Sequence, residues 1–229
     1  MLVKDWMSTK VITVDMNDSV RDAIDVLKTH GISMLPVMHE GRLVGIVSEL
    51  DLKSFASPPA SAAGTYKVRS DVSKLRVQDV MTQAPVTVPL DFTVEETADV
   101  LMTHRISGVP VADRDKQIVG VITQTDISRV MVSVTGLWRG GIVFGFLLED
   151  RAGSIKELTD TMRSYGGRLA SILTSYERVP RGYRKVHIRV RRIDRSELPK
   201  LKEELQQKAT MIYMVDQREN IREIFEVSR

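Results

Sequence analysis

The sequence contains no cysteine, which excludes disulfides, thiolate metal sites and cysteine nucleophiles. Its four histidines, His30, His39, His104 and His187, have no metal-ligand spacing, and no nucleophile elbow, Walker loop or Gly-x-Gly-x-x-Gly motif is present. No apolar run approaches the ~20 residues of a membrane span, and the first residues lack the basic and apolar regions of a signal peptide. We therefore expect a cytoplasmic protein without membrane contact and without catalytic activity.

The composition is that of a globular protein with an uneven distribution of charge. The chain has 229 residues, of which 42% are hydrophobic and 28% charged, so there is room for two domains. Residues 1–137 hold 14 basic and 17 acidic side chains, whereas residues 138–229 hold 19 and 13. The paired glycines Gly140 and Gly141 lie next to this change of charge, and they predict a domain boundary near residue 137.

The first 133 residues contain one pattern twice. The segment Val3-Lys4-Asp5-Trp6-Met7 recurs as Val77-Gln78-Asp79-Val80-Met81, and Gly45-Ile46-Val47-Ser48-Glu49-Leu50-Asp51 recurs as Gly120-Val121-Ile122-Thr123-Gln124-Thr125-Asp126. A duplicated supersecondary unit usually buries its apolar face against its own copy. The repeat therefore predicts two similar halves that pack together.

Each copy predicts the order β-α-β-β-α. In the first copy, the strand Ile12-Thr13-Val14 precedes a helix capped by Asp18 or Ser19, and a second helix opens at Ser48. Between them lie two strands with almost continuous apolar residues, which indicate a largely buried sheet.

These residues resemble a pair of CBS domains, the Bateman module that senses adenosine ligands. The resemblance is carried by Gly-apolar-apolar-Ser/Thr-x-x-Asp, preceded in each copy by Ile-Ser-x-x-Pro-Val, and it covers residues 1 to about 133. It implies an α/β module that binds an adenosine nucleotide, alone or with Mg²⁺, in the cleft between the two halves.

The Ser/Thr-x-x-Asp motif has a physical reason to bind a nucleotide. A hydroxyl at the start of a helix leaves backbone N–H groups that favour an anionic phosphate, and the carboxylate three residues later can accept hydrogen bonds from both ribose hydroxyls. The alternative interpretation is a capping box, in which Ser48 or Thr123 caps the helix and the aspartate bonds back. The duplication of the motif favours the nucleotide.

The resemblance implies two composite pockets. One combines Thr123 and Asp126 with Ile12, Ser33 and Met34, and the other combines Ser48 and Asp51 with Val86, Ser107 and Gly108. Candidate cations for the phosphate are Lys53, Arg129 and Arg105, although lysine and arginine are mostly solvated surface residues. For His30 and His104, at matching helix ends, we expect a structural role.

The predicted domains are a first repeat at residues 1–56, a linker at 57–74 rich in small and helix-breaking residues, a second repeat at 75–136 and a C-terminal domain at 137–229. In the last of these we predict strands at 142–148, 169–178, 183–193 and 211–215, with helices at 154–165 and from the cap Ser196 to about Lys208. This order is the ferredoxin-like β-α-β-β-α-β arrangement, so the complete chain combines α/β and α+β folds.

The C-terminal domain resembles an ACT domain, and the combination resembles the acetoin-utilisation B-type proteins of bacteria. Ala152 and Arg168 stand where that family has proline and asparagine, so we expect association and no tight amino-acid ligand. Both families imply a homodimer, and a regulated metabolic enzyme is the expected downstream partner.

The basic strand from Arg184 to Arg191 leaves a second functional class open. Val186, Ile188 and Val190 alternate with Lys185, His187, Arg189 and Arg191, which predicts one buried face and one solvated basic face. Such a face could bind a nucleic acid or an acidic protein, but no aromatic residue is interleaved for base stacking. A sensor of S-adenosylmethionine or NAD is the other alternative to a nucleotide sensor.

Overall fold

The computed structural model describes residues 1–56 and 75–225, and for residues 53–56 it describes the backbone only. The predicted linker at 57–74 lies outside these residues. The chain divides into one unit at Met1–Ser128 and a second at Arg129–Arg229. No helix in the described ranges is both long enough and apolar enough for a membrane span.

The two repeats share the predicted element order. The first comprises β1 (Val14–Asp15), α1 (Val20–His30), β2 (Met34–His39), β3 (Arg42–Ser48) and α2 (Glu49–Ala56). The second comprises β5 (Val88–Pro89), α3 (Val94–His104), β6 (Gly108–Ala112), β7 (Ile118–Thr123) and α4 (Gln124–Val134), and β4 (Thr82–Gln83) precedes it. The first strand begins at Val14, two residues later than predicted, so Ile12 and Thr13 lie outside it.

Both repeats use the same sheet topology. In the first, β1 is parallel to β2, and β3 is antiparallel to both β2 and β4. In the second, β5 is parallel to β6, and β6 is antiparallel to β7. Ser19 and Thr93 cap α1 and α3, each accepting a hydrogen bond from a backbone N–H three residues on.

The segment that precedes each repeat packs in the other repeat. Val3 is fully buried in the core of the second repeat, and its N–H bonds to the carbonyl of Phe92 at 2.9 Å. Val77 is fully buried in the core of the first repeat, where its N–H bonds to the carbonyl of Asp18 at 2.9 Å. The sheets repeat this exchange, since Ser8 bridges Val121 and Gln83 pairs with Gly45.

Methionines on the exchanged segments need glycine opposite them. The sulfur of Met7 lies so close to Gly120 that a Cβ at that position would overlap it, and Met81 lies in the same way against Gly45. The glycines of the two Gly-apolar-apolar strands are therefore explained by the contact between a strand and the segment from the other copy.

The second unit is a five-stranded sheet with two helices. Its elements are β8 (Ile142–Glu149), α5 (Ser154–Ser164), β9 (Arg168–Ser175), β10 (Tyr183–Arg191), α6 (Leu198–Lys208), β11 (Thr210–Asp216) and β12 (Ile221–Ile224). The strand order is β12-β11-β8-β10-β9 with antiparallel neighbours throughout. The face of the sheet that the helices cover is buried, and its side chains include Phe144, Phe146, Val186, Ile188 and Val190.

Two local predictions for this unit were wrong. Ser196 does not cap α6, because its hydroxyl bonds to Asp194 at 2.8 Å and the N-cap residue is Glu197. The strand β12 was not predicted, since Ile221–Ile224 has no buried residue to indicate it. It forms because the turn at Asn220, with a φ of 52°, returns the chain along β11.

Replacing Val3 or Val77 by alanine tests the exchange. Each variant loses two buried methyl groups, so we expect the free energy of unfolding to fall by about 1–3 kcal/mol. Hydrogen exchange should become faster in α3, β6 and β7 for Val3→Ala, and in α1, β2 and β3 for Val77→Ala. Met102→Ala, at a side chain that is 74% exposed, is the control. Faster hydrogen exchange in the repeat that follows the mutated segment would contradict the packing of that segment in the other repeat.

Candidate functional site

A cavity of about 710 Å³ lies in the first unit between the two repeats. One wall comes from the first repeat, at the start of β2 and at the junction of β3 with α2. The other wall comes from β4, the chain that follows it, and the loop from α3 to β6. The lining residues are Ser33, Met34, Ile46, Ser48, Glu49, Leu50, Asp51, Thr82, Ala84, Pro85, Val86, His104, Arg105, Ile106, Ser107 and Gly108.

Ser48 and Asp51 are held together at the start of α2. The Ser48 backbone N–H and hydroxyl donate to Asp51 Oδ2 at 2.9 and 2.6 Å, and the Asp51 N–H donates to Ser48 Oγ at 3.2 Å. Thr123 and Asp126 repeat these bonds at the start of α4, with distances of 2.9, 2.7 and 3.4 Å. The capping box is therefore present in both copies.

This capping geometry leaves room for a ligand interaction. The cap bonds from Ser48 reach Oδ2 of Asp51, and a carboxylate offers about four acceptor positions over its two oxygens. The cap also fixes the side-chain orientation, so Asp51 is held at the cavity wall without a ligand. The capping and nucleotide interpretations are thus compatible.

The structure brings together all five predicted residues of one pocket and two of the five predicted for the other. Val86, Ser107 and Gly108 line the cavity with Ser48 and Asp51. Ser33 and Met34, which the resemblance placed beside Thr123, line this same cavity. Ile12, Thr123 and Asp126 do not line it, and Asp126 is 9% exposed.

The predicted cations have different positions. Arg129 is exposed on α4, one turn after Asp126, and it does not line the cavity. Lys53 belongs to α2, but its side chain lies outside the described residues. Arg105 lines the cavity, and so does His104, for which a purely structural role was expected.

Sequence reasoning missed the part of the wall between the repeats. Thr82, Ala84 and Pro85 line the cavity because β4 pairs with β3 and carries the following residues past the start of α2. The signal was the exchanged segment itself, since a repeat unit that begins in the other half must cross the space between the halves. Glu49 and Leu50, inside the Ser-x-x-Asp motif, were also missed.

The basic face of β10 is the second candidate site, and Lys185 and Arg189 on this face donate hydrogen bonds within the unit. Arg189 is only 6% exposed, and its guanidinium donates to the carbonyl of Thr135 at 2.7 Å and to Gln217 Oε1 at 3.0 Å. Lys185 donates to the carbonyl of Glu177 at 3.2 Å. The prediction of a solvated face is therefore wrong at Arg189, whose burial lowers the pKa of its guanidinium.

His187 lies at the centre of this face, half-buried beside an aromatic ring. Its Nδ1 is 2.8 Å from the Tyr213 hydroxyl, and the rings are stacked with centroids 5.7 Å apart. Burial, followed by the charge of Lys185, lowers the pKa of His187, and burial raises the pKa of Tyr213. Both shifts favour neutral side chains, as expected for a packed contact.

Within residues 1–56 and 75–225, no group of three or more histidine, aspartate or glutamate side chains is arranged to hold a metal ion.

Comparison with known proteins identifies the repeated part of the chain. Residues 3–57 and 77–133 match the model of the CBS domain. The L-aspartate semialdehyde sulfurtransferase of Methanocaldococcus jannaschii is 34% identical over 131 residues, which is 56% of this chain. The chain spans only 23% of the length of that relative.

Two solved CBS pairs align with the same part. The CBS domain pair of protein MJ0100, in complex with 5′-methylthioadenosine and S-adenosyl-L-methionine, is 32% identical to this chain. The alignment covers 95% of that structure and 57% of this chain, with a TM-score of 0.48. CBSX2 of Arabidopsis thaliana, in complex with AMP, is 27% identical to this chain. The alignment covers 96% of that structure and 57% of this chain, with a TM-score of 0.48.

The lowered pKa of His187 predicts a pH-dependent stability. The folded protein takes up a proton at this ring less readily than the unfolded chain, so His187 contributes stability above its unfolded pKa of about 6.5, and this contribution is lost as the pH falls. Between about pH 7 and pH 5, we expect the free energy of unfolding to fall more steeply in the wild type than in His187→Gln. Denaturant unfolding at several pH values measures this. Parallel profiles for the two proteins would show that the ring is not protected from protonation.

Proposed function

From the tandem pair of CBS domains that this chain carries, we propose that the protein is a non-enzymatic regulator that binds an adenosine nucleotide of the AMP, ADP or ATP class. The observation that carries this proposal is the position of Ser48 and Asp51, hydrogen-bonded to each other, in the wall of a cavity between the repeats. A volume of about 710 Å³ lies within the range of small-molecule sites.

The cavity has surfaces for each part of a nucleotide. Asp51 offers a charged acceptor for the paired ribose hydroxyls, and the hydroxyls of Ser33 and Ser107 add further polar groups. The lining also contains apolar side chains against which a purine ring can pack, namely Met34, Ile46, Pro85, Val86 and Ile106. A Mg²⁺ ion would enter with the nucleotide phosphates, because such hard cations prefer oxygen ligands.

The second motif supports a second, related site. Thr123 and Asp126 have the same hydrogen bonds as Ser48 and Asp51 at the start of an equivalent helix. We place Ile12 at this second site, with Arg129 as a phosphate contact there and Lys53 as the corresponding contact on α2. Each helix start adds partial positive charge from its N–H groups.

For the C-terminal unit we propose an ACT-like, ferredoxin-like domain that mediates association into a homodimer. Its strands and helices follow the order β-α-β-β-α-β, with β12 added at one edge. The other edge strand, β9, exposes Ile172, which is 40% accessible. An apolar side chain on an edge strand favours pairing with another chain, and a second copy supplies an identical edge. In the acetoin-utilisation B-type arrangement, nucleotide binding would alter this association, and the altered association would change the activity of a partner metabolic enzyme.

The alternatives differ in their ligand. A sensor of S-adenosylmethionine or NAD would use the same ribose contact, so only a comparison of ligands separates it from a nucleotide sensor. Binding of a nucleic acid or an acidic protein through β10 is less favoured, because Lys185 and Arg189 already donate hydrogen bonds within the unit.

Asp51→Asn tests the ribose contact. The variant keeps the side-chain volume but turns one acceptor oxygen into a donor, so we expect affinity for AMP to fall by about ten- to a hundredfold. The ligand-free protein should lose about 1 kcal/mol of stability or less. Titration calorimetry with AMP, ATP, S-adenosylmethionine, NAD and adenosine measures the affinities, and thermal unfolding measures the stability.

Asp22→Asn is the matched control for this experiment. Asp22 forms two of the same three bonds with Ser19 at the start of α1, at 2.7 and 3.1 Å, but it does not line the cavity. It should lose similar stability and keep the wild-type affinity. Equal affinities in both variants would reduce Asp51 to a helix cap, and the absence of binding by every adenosine compound at millimolar concentration would overturn the proposed function.

Association through the C-terminal unit predicts a change of mass on truncation. A chain that ends at Gly136 should sediment as a smaller oligomer than the complete protein. Ile172→Lys in the complete chain should weaken association too, because a charged edge strand disfavours pairing. Val132→Lys, at a half-exposed side chain on α4, is a charge control. An unchanged oligomeric state in both the truncated chain and Ile172→Lys would contradict this role.

A further inference from the structure

The helices α1 and α3 end in the same way but with different residues. Gly31 follows α1 with a φ of 61°, and Arg105 follows α3 with a φ of 54°. In both, the backbone N–H bonds to carbonyls of the last helical turn, those of Leu27 and Lys28 or of Leu101 and Met102. The two turns are therefore one structure built with glycine in one repeat and arginine in the other.

The left-handed conformation is unfavourable for arginine. Glycine adopts it without penalty, whereas a residue with a Cβ is strained there, and arginine has no short polar side chain to compensate locally. Such a position invites a functional explanation, provided that the side chain reaches a site.

The Arg105 side chain reaches the cavity described above. It is exposed, and it has no hydrogen bond or ion pair with any described residue. Among the described residues that line the cavity it is the one permanently charged cation, and His104 is its neighbour. The acids Glu49 and Asp51 belong to the start of α2, so the cavity has an acidic wall and a basic wall on different elements.

We propose that Arg105 determines the ligand specificity of this cavity by selecting adenosine compounds that carry a phosphate over those that do not. This inference rests on the proposed function, since it assumes that adenosine binds beside Asp51. A guanidinium that has no partner among the described residues can form paired, charge-assisted bonds to phosphate oxygens. The equivalent turn of the first repeat ends in Gly31, which has no side chain, so the two sites of the pair differ in their preference for phosphate.

Arg105→Gly isolates this effect. The variant gives α3 the same terminal residue as α1, so the turn is retained and its strain is removed. In titration calorimetry on the complete chain, wild-type protein should bind AMP at least about tenfold more tightly than adenosine, the size of a charge-assisted hydrogen bond. Arg105→Gly should lose most of this ratio and keep the wild-type affinity for adenosine.

Two further variants guard against indirect effects. Arg105→Asn also tolerates the left-handed conformation and should behave like Arg105→Gly. Arg114→Ala removes an exposed arginine of the same repeat that does not line the cavity, and it should keep the wild-type ratio.

The affinities for adenosine and AMP separate the two proposals. Equal affinities for both compounds in the wild type, or an unchanged ratio in Arg105→Gly and Arg105→Asn, would overturn the role of Arg105 while leaving adenosine binding intact. Failure of the wild type to bind either compound would instead overturn the proposed function and this inference with it.

Discussion

The first unit depends on the exchange of the segments that precede its two repeats. Val3 completes the core of the second repeat and Val77 completes the core of the first, with both side chains fully buried. A repeat without this valine would leave an opening in its core, and filling that opening requires the other half of the chain. The cavity exists because of the same exchange, since β4 pairs with β3 and carries Thr82, Ala84 and Pro85 into the cavity wall.

The fold of this unit could be predicted from the sequence because the pattern occurs twice. Hydrophobic periodicity and a cap at Asp18 or Ser19 located the first helix of the repeat, and the repeated Ser/Thr-x-x-Asp located the starts of α2 and α4. The exchange could not be read from periodicity, because Val3 and Val77 are equivalent positions in the repeat and either could pack in its own copy. Only three-dimensional packing decides between these arrangements.

The candidate site was predictable where it depends on local structure. Ser48 and Asp51 meet because three residues separate them at a helix start, a geometry that sequence determines. Arg105 was one candidate among several cations, and what sets it apart is a positive φ at the position where the first repeat has Gly31. In the C-terminal unit, Ser196 has the composition of a cap but bonds to Asp194, because local side-chain bonds compete with helix capping.

The exchange of segments also sets an order for synthesis and folding. Translation completes the strands and helices of the first repeat through α2 before Val77 has been made, so the core of this repeat has to wait for a later part of the chain. The contact between Val3 and Phe92 joins residues that are far apart in sequence, and such contacts slow folding because the intervening chain must be closed first. While it is still on the ribosome, the newly made first repeat therefore exposes an apolar surface. Chaperones can bind this surface until residue 77 emerges.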